Sequence, residues 1–210
     1  MENTVVKIIF FIPAILIALI VHEYSHARVA YNLGDPTAKY SGRLTLNPLD
    51  HLDPWGTIVL IVSFLSTGFC IGWAKPVPIN PYNFRDFFKG SMLVGLAGPL
   101  SNVAMAALAG LFFRFNFLVY DVPAFGAFMH VFIMVNLGLG LFNLIPIPPL
   151  DGSRILMGIL PKDLAWKYSE MERNSPMIMF IILIILISTN MINIVLGPPF
   201  EFLYRLFTGS

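Results

Sequence analysis

Four stretches of this 210-residue chain run almost without Asp, Glu, Lys or Arg: 8–27, 90–113, 122–150 and 174–200. As helices rising about 1.5 Å per residue, each is long enough to cross about 30 Å of hydrocarbon. Such a pattern implies an all-α polytopic membrane protein, because in lipid every backbone N–H and C=O must find its partner within the protein. Composition agrees: 57% of residues are hydrophobic and 12% charged, against roughly one quarter charged in soluble domains. The reading is one integral membrane domain over 1–210, with a core at about 8–154 and a C-terminal helix at about 175–200.

A fifth apolar run, 55–74, carries Gly56, Gly68 and Gly72 and lies between Pro54 and Pro76. Charge decides how it is placed. The loop before it holds Arg28, Lys39 and Arg43, and the loop after it holds Lys75, Arg85 and Lys89. Basic short loops lie on the cytoplasmic side. If both do, 55–74 does not cross once; it dips in and returns, or lies along the interface. The fold is then about four transmembrane helices plus this re-entrant or interfacial segment. The first run is expected to be retained, since a cleavable signal has no reason to carry charged and imidazole groups at its end. The single cysteine, Cys70, excludes an intrachain disulfide and a cysteine-rich metal site. A net charge of +1 gives no reason to expect a nucleic-acid partner.

Within the first apolar run stands His22-Glu23-Tyr24-Ser25-His26. Ionisable groups at bilayer depth are costly, so their default reading is functional. On a helix the i, i+4 spacing stacks both imidazoles on one face, where their neutral nitrogens can bind one Zn²⁺. Glu23, one residue round, is placed to act on the attacking water. The alternative is a pair of histidines satisfied by helix neighbours. By the charge pattern this motif lies near the cytoplasmic end of its helix.

A catalytic zinc site has three protein ligands and an open position. Asp151, in Asn143-Leu-Ile-Pro-Ile-Pro-Pro-Leu-Asp-Gly, is the candidate third ligand; its other reading is a turn or capping aspartate. The re-entrant reading of 55–74 brings it to the same side as His26.

These two motifs together resemble the site-2 protease (M50) family of intramembrane zinc metallopeptidases, as does Gly98-Pro-Leu-Ser-Asn102. The tracts 47–56 and 72–80 are similar to the compact prokaryotic branch, which lacks PDZ and CBS domains. The resemblance implies regulated intramembrane proteolysis, the cleavage of a transmembrane protein substrate in contact with membrane lipid. It also implies one Zn²⁺ held by His22, His26 and Asp151, with Glu23 as general base, and allows a membrane regulatory partner. Asn143 then has two readings, a contact to the substrate carbonyl or oxyanion and an interhelical hydrogen bond; Asn102 has the same two. His51 is a partner of a ligand, a substrate contact, an alternative ligand, or a turn residue paired with Asp50 or Asp53. The proline-rich tract 75–81 suggests either an extended edge, one arm of a short β-hairpin beside the site that could pair with an unwound substrate, or a rigid connector. The competing functions are a divalent-metal transporter, which needs ligands along a continuous path, and a relative that binds membrane partners without cutting them.

Overall fold

A computed structural model describes residues 2–67, 75–189 and 191–209. The described helices are α1 (Glu2–Asn32), α2 (Thr37–Tyr40), α3 (Pro48–His51), α4 (Pro54–Thr67), α5 (Phe87–Arg114), α6 (Pro123–Asn143), α7 (Asp151–Ile159), α8 (Lys162–Asn174), α9 (Pro176–Ser188) and α10 (Met191–Thr208). Three segments, Ile9–Asn32, Phe87–Arg114 and Pro123–Asn143, are each long and apolar enough to cross a membrane. A fourth span results if Lys162–Asn174 and Met177–Ser188, bent by 90°, count as one. The all-α polytopic fold expected from the apolar runs is therefore the fold observed.

The middle span starts where Asp86 caps α5, its side chain accepting from the N–H groups of Phe88 and Lys89. From there α5 runs antiparallel to α1: its Val94 lies beside His26 and its Asn102, two turns on, beside Ala18. It runs antiparallel to α6 as well, since Asn102 meets Asn136 while Pro99 faces Gly140. So α1 ends, α5 begins and α6 ends at one end of the bundle. Small residues permit this closeness. A Cβ on Gly140 would stand 3.1 Å from the Pro99 carbonyl, and one on Gly95 would stand 3.0 Å from the Asp151 carbonyl at the start of α7.

The chain between α1 and α5 leaves and returns at that same end. The Lys75 N–H donates to the His51 carbonyl at 2.9 Å, so the segment bounded by these residues is closed on itself and does not cross once. The α4 helix inside it has 14 residues, about 21 Å of rise, short of a span. Residues 68–74, the last seven of the expected re-entrant run and the site of Cys70, lie outside the described residues.

No strand occurs among the described residues, and 75–80 has no regular secondary structure. Pro76 and Pro78 lack the N–H groups a ladder would use, which is why the expected hairpin has no second rung there. The tract is pinned instead by Asp35, a fully buried carboxylate just past α1. It accepts from the Asn80 N–H at 2.7 Å, the Asn83 side chain at 2.7 Å, and the Thr37 hydroxyl and N–H at 2.5 and 3.1 Å. Burial alone would raise the Asp35 pKa, but these donors outweigh it and hold the carboxyl below its ordinary value.

The run 174–200 is not one helix. It divides into α9 and α10, and α10 continues to Thr208 with Pro198 and Pro199 inside it. The last helix packs on α5 and α6: Phe200, Leu203, Tyr204 and Phe207 cover the buried Ala106, Ala109, Ile133 and Leu137. The Tyr204 hydroxyl also lies 2.7 Å from His130 Nδ1.

At Gly110 a Cβ would stand 2.6 Å from the Phe207 Cβ and 2.8 Å from its carbonyl oxygen. Backbone cannot move aside cheaply, so Gly110→Ala should destabilise the protein by about 1 to 3 kcal/mol. Gly138, with nothing within 4 Å of its Cβ position, should accept alanine without loss. Thermal unfolding in detergent of the two variants checks this.

Candidate metal centre

One turn of α1 separates His22 from His26, which places both rings on the same face with centroids 4.6 Å apart. Each residue is only 4% exposed. Facing them is Asp151, the first residue of α7. Its Oδ2 lies 3.0 Å from His22 Nε2 and 3.2 Å from His26 Nε2. The three ligand atoms fall within 4.8 Å of one another and could hold one metal ion.

Asp151 reaches this point because α6 stops. Pro146, Pro148 and Pro149 follow its last residue, Asn143, and proline cannot continue the hydrogen-bond ladder. The chain turns back through 144–150, with the Pro148–Pro149 peptide cis. Gly152 completes the turn: a Cβ there would overlap the Leu144 and Ile145 carbonyls, so only glycine lets α7 start so close to the end of α6.

The hydrogen bonds on the far side of each ring decide what the near side can do. The Val94 carbonyl, 2.7 Å from His26 Nδ1, can only accept, so Nδ1 carries the proton. In neutral His26 the Nε2 that faces Asp151 is then a bare lone pair. His22 is fixed in the same way, its Nδ1 lying 2.6 Å from Asn102 Oδ1. The Asn102 amide cannot be flipped, because its Nδ2 donates to the Ala18 carbonyl at 3.1 Å and to Asn136 Oδ1 at 3.0 Å. Asn136 in turn donates to the Phe132 carbonyl. Each Nε2 is thus left facing the Asp151 carboxylate, where a shared proton or a metal cation can join them. That arrangement suits a cation, with each ring held by an outer partner as metal-binding histidines usually are.

Glu23 is half-buried next to His22, and its Oε2 accepts from the Val77 N–H at 3.0 Å. The other expected residues fall as follows. Asn102 is fully buried and its side chain is engaged by His22, Ala18 and Asn136. Asn143 donates to the Leu139 carbonyl one turn back at 3.0 Å, and no described hydrogen bond joins it to the three-residue cluster. His51 is 2% exposed, with Nε2 2.8 Å from the Thr45 carbonyl. It touches the site's surroundings through its own carbonyl, which accepts from Lys75. Sequence reasoning missed Asn136, whose signal was a polar residue inside an apolar run. It also missed the Val94 carbonyl and the Val77 N–H, which leave no side-chain signal at all.

Comparison with known proteins gives the family. The description "Peptidase family M50" matches residues 119–187, a range that holds Asp151 but not His22 or His26. The chain is 41% identical over 197 residues to "Putative zinc metalloprotease YwhC" of Bacillus subtilis (strain 168), covering 89% of this chain and 85% of that one. It is 34% identical over 145 residues to "Putative zinc metalloprotease Rip2" of Mycolicibacterium smegmatis, covering 65% of this chain and 52% of that one. "Putative zinc metalloprotease MJ0611" of Methanocaldococcus jannaschii is 38% identical over 80 residues, 36% of this chain and 39% of that one. No solved structure matches. The class defined by the buried donor set and the multi-pass fold is a membrane metalloprotease. The chain belongs to peptidase family M50, the site-2 protease family, whose members use zinc.

Gly98 of α5 faces the two rings, and a Cβ there would overlap Nε2 of both His22 and His26. Their outer hydrogen bonds leave the rings no room to withdraw. Gly98→Ala should therefore lower the zinc retained per chain by tenfold or more in affinity, on the order seen when partners of metal-bound histidines are lost. Elemental analysis after dialysis against a graded chelator checks this, with Gly138→Ala as the control.

Proposed function

We propose that His22, His26 and Asp151 hold the zinc of this membrane metalloprotease and that Glu23 is its general base and acid. The observation that carries the reading is the convergence of both Nε2 atoms on one Asp151 oxygen, with the Nδ1 of each ring held from behind by Val94 and Asn102. The set is that of an HExxH metallopeptidase with a carboxylate third ligand, which leaves one position open. Zinc bound there supplies Lewis acidity toward a scissile carbonyl and lowers the pKa of water.

The chain's own residues do the rest. Glu23 takes a proton from the attacking water and delivers it to the leaving amine. Asn102, with Asn136 behind it, keeps the His22 ring turned and fixes its tautomer. The carbonyl of Val94 does the same for His26. Asn143 stands at the end of α6, where the chain turns toward Asp151, and is a second-choice contact for the substrate carbonyl.

The substrate is a transmembrane protein cut within or near its membrane span. Ten of the thirteen Lys and Arg residues, Arg28, Lys39, Arg43, Lys75, Arg85, Lys89, Arg154, Lys162, Lys167 and Arg173, belong to the end of the bundle that carries the histidines. That bias supports a cytoplasmic placement of the site in a cell membrane. His26 and His22 lie six and ten residues before the end of α1, about 9 and 15 Å of rise, between the edge and the middle of a hydrocarbon core about 30 Å thick. A bond cut at that depth lies in the cytoplasmic half of the substrate's span. It also lies inside a helix, so local unwinding must come first, and unpaired backbone groups in lipid cost several kcal/mol each.

His22→Ala, His26→Ala and Asp151→Ala should each lose zinc, whereas Glu23→Gln should keep it and lose turnover by about 10²-fold or more. Unchanged metal content in Asp151→Ala would remove that residue from the ligand set, and full activity in Glu23→Gln would reject the mechanism. A panel of single-span membrane proteins, co-expressed with the wild type or with Glu23→Gln and sequenced at the new termini, tests the substrate class. Cuts should map to the cytoplasmic half and become faster when Gly or Asn replaces helix formers near the bond. A cut in the opposite half would reject the placement.

A further inference from the structure

We infer that the backbone N–H of Val77 is a positioning group for Glu23, holding the carboxylate in the orientation from which it works. The inference rests on the general-base reading of Glu23. The hydrogen bond runs from Val77 N to Glu23 Oε2 at 3.0 Å and joins residues 54 positions apart.

The surrounding sequence makes this donor singular. Val77 lies between Pro76 and Pro78, so it carries the only N–H of three consecutive residues. Proline also fixes φ near −65° on both sides, which stiffens the strap. The strap is tied at both ends: Lys75 N donates to the His51 carbonyl at 2.9 Å, and Asn80 N donates to Asp35 at 2.7 Å. Between these ties the Val77 side chain is buried against Ala27 and Ala38. A free glutamate on α1 would explore several rotamers. Here a fixed amide meets one oxygen of the carboxylate and leaves Oε1 as the oxygen that takes the proton.

The same geometry changes the expected role of this tract. Pro76 and Pro78 cannot donate to an unwound substrate, so only their carbonyls can receive its N–H groups. The strap works toward the glutamate through Val77, not as a full pairing edge.

The test removes the donor and reads where the loss falls. The assay is cleavage of the substrate found by co-expression, reconstituted with the full chain in phosphatidylcholine and phosphatidylglycerol vesicles. Val77→Pro should lower kcat by about tenfold or more relative to Val77→Ala, which measures the loss of the valine methyls alone, because misplacing a reacting group by about 1 Å can cost up to about 10²-fold. KM and zinc content should stay as in Val77→Ala. Placed on Glu23→Gln, the proline should add no further loss, since no carboxylate remains to be oriented. In metal-free protein, the carboxylate infrared band that is missing from Glu23→Gln should shift in Val77→Pro and not in Val77→Ala. Equal kcat in Val77→Pro and Val77→Ala, or the same loss on both backgrounds, would overturn this inference and leave the zinc site standing. An active Glu23→Gln would overturn both. Should the proline variant fail to fold, the α-hydroxy analogue of valine at 77, which exchanges only N–H for oxygen, decides by the same outcomes.

Discussion

Two imidazole Nε2 atoms and one carboxylate oxygen meet inside a helical bundle, and the rest of the structure is arranged around that meeting. Bare acceptors in a low-dielectric interior are costly unless a cation joins them. Each ring is nevertheless held with its protonated nitrogen turned outward, toward Val94 on one side and Asn102 on the other. Both inner nitrogens are thereby left to a shared proton or to a cation.

The centre requires three stretches of backbone to come unusually close. α5 supplies Gly95 against α7 and Gly98 against both histidines, while Gly152 lets α7 start beneath the carbonyls that end α6. In lipid there is no hydrophobic drive to bring helices together, so close packing of small residues and interhelical hydrogen bonds must do it. The Ala18, Asn102, Asn136 and Phe132 chain of hydrogen bonds supplies the second of these across three helices. The same residues that permit the packing thus hold the rings.

A second level of organisation lies past the end of α1. Asp35 gathers Thr37, Asn80 and Asn83, and His51 receives Lys75. These contacts carry a proline-rich strap to Glu23 and close the loop that contains α4. They also settle the parity of the chain: the segment returns to the end from which it left, so α1 and α6 run parallel and Asp151 meets His26.

Much of this was legible without coordinates. The uncharged runs determine a helical membrane protein, because backbone polar groups have no other way to be satisfied in hydrocarbon. The i, i+4 histidines determine a shared face, because 3.6 residues make a turn. Asp151 after three prolines marks the end of a helix, because proline cannot sustain one. Other features depend on contacts between residues far apart in the chain, and no local pattern encodes them. Asn102 engages His22 and Asn136 because three helices cross there. The run 174–200 breaks into α9 and α10 although its hydropathy is continuous, and α10 continues to Thr208, where Phe207 meets Gly110. The partners of His26 and Glu23 are a carbonyl and an amide of the backbone. Every residue carries such groups, so only the tertiary structure decides which of them faces a functional side chain.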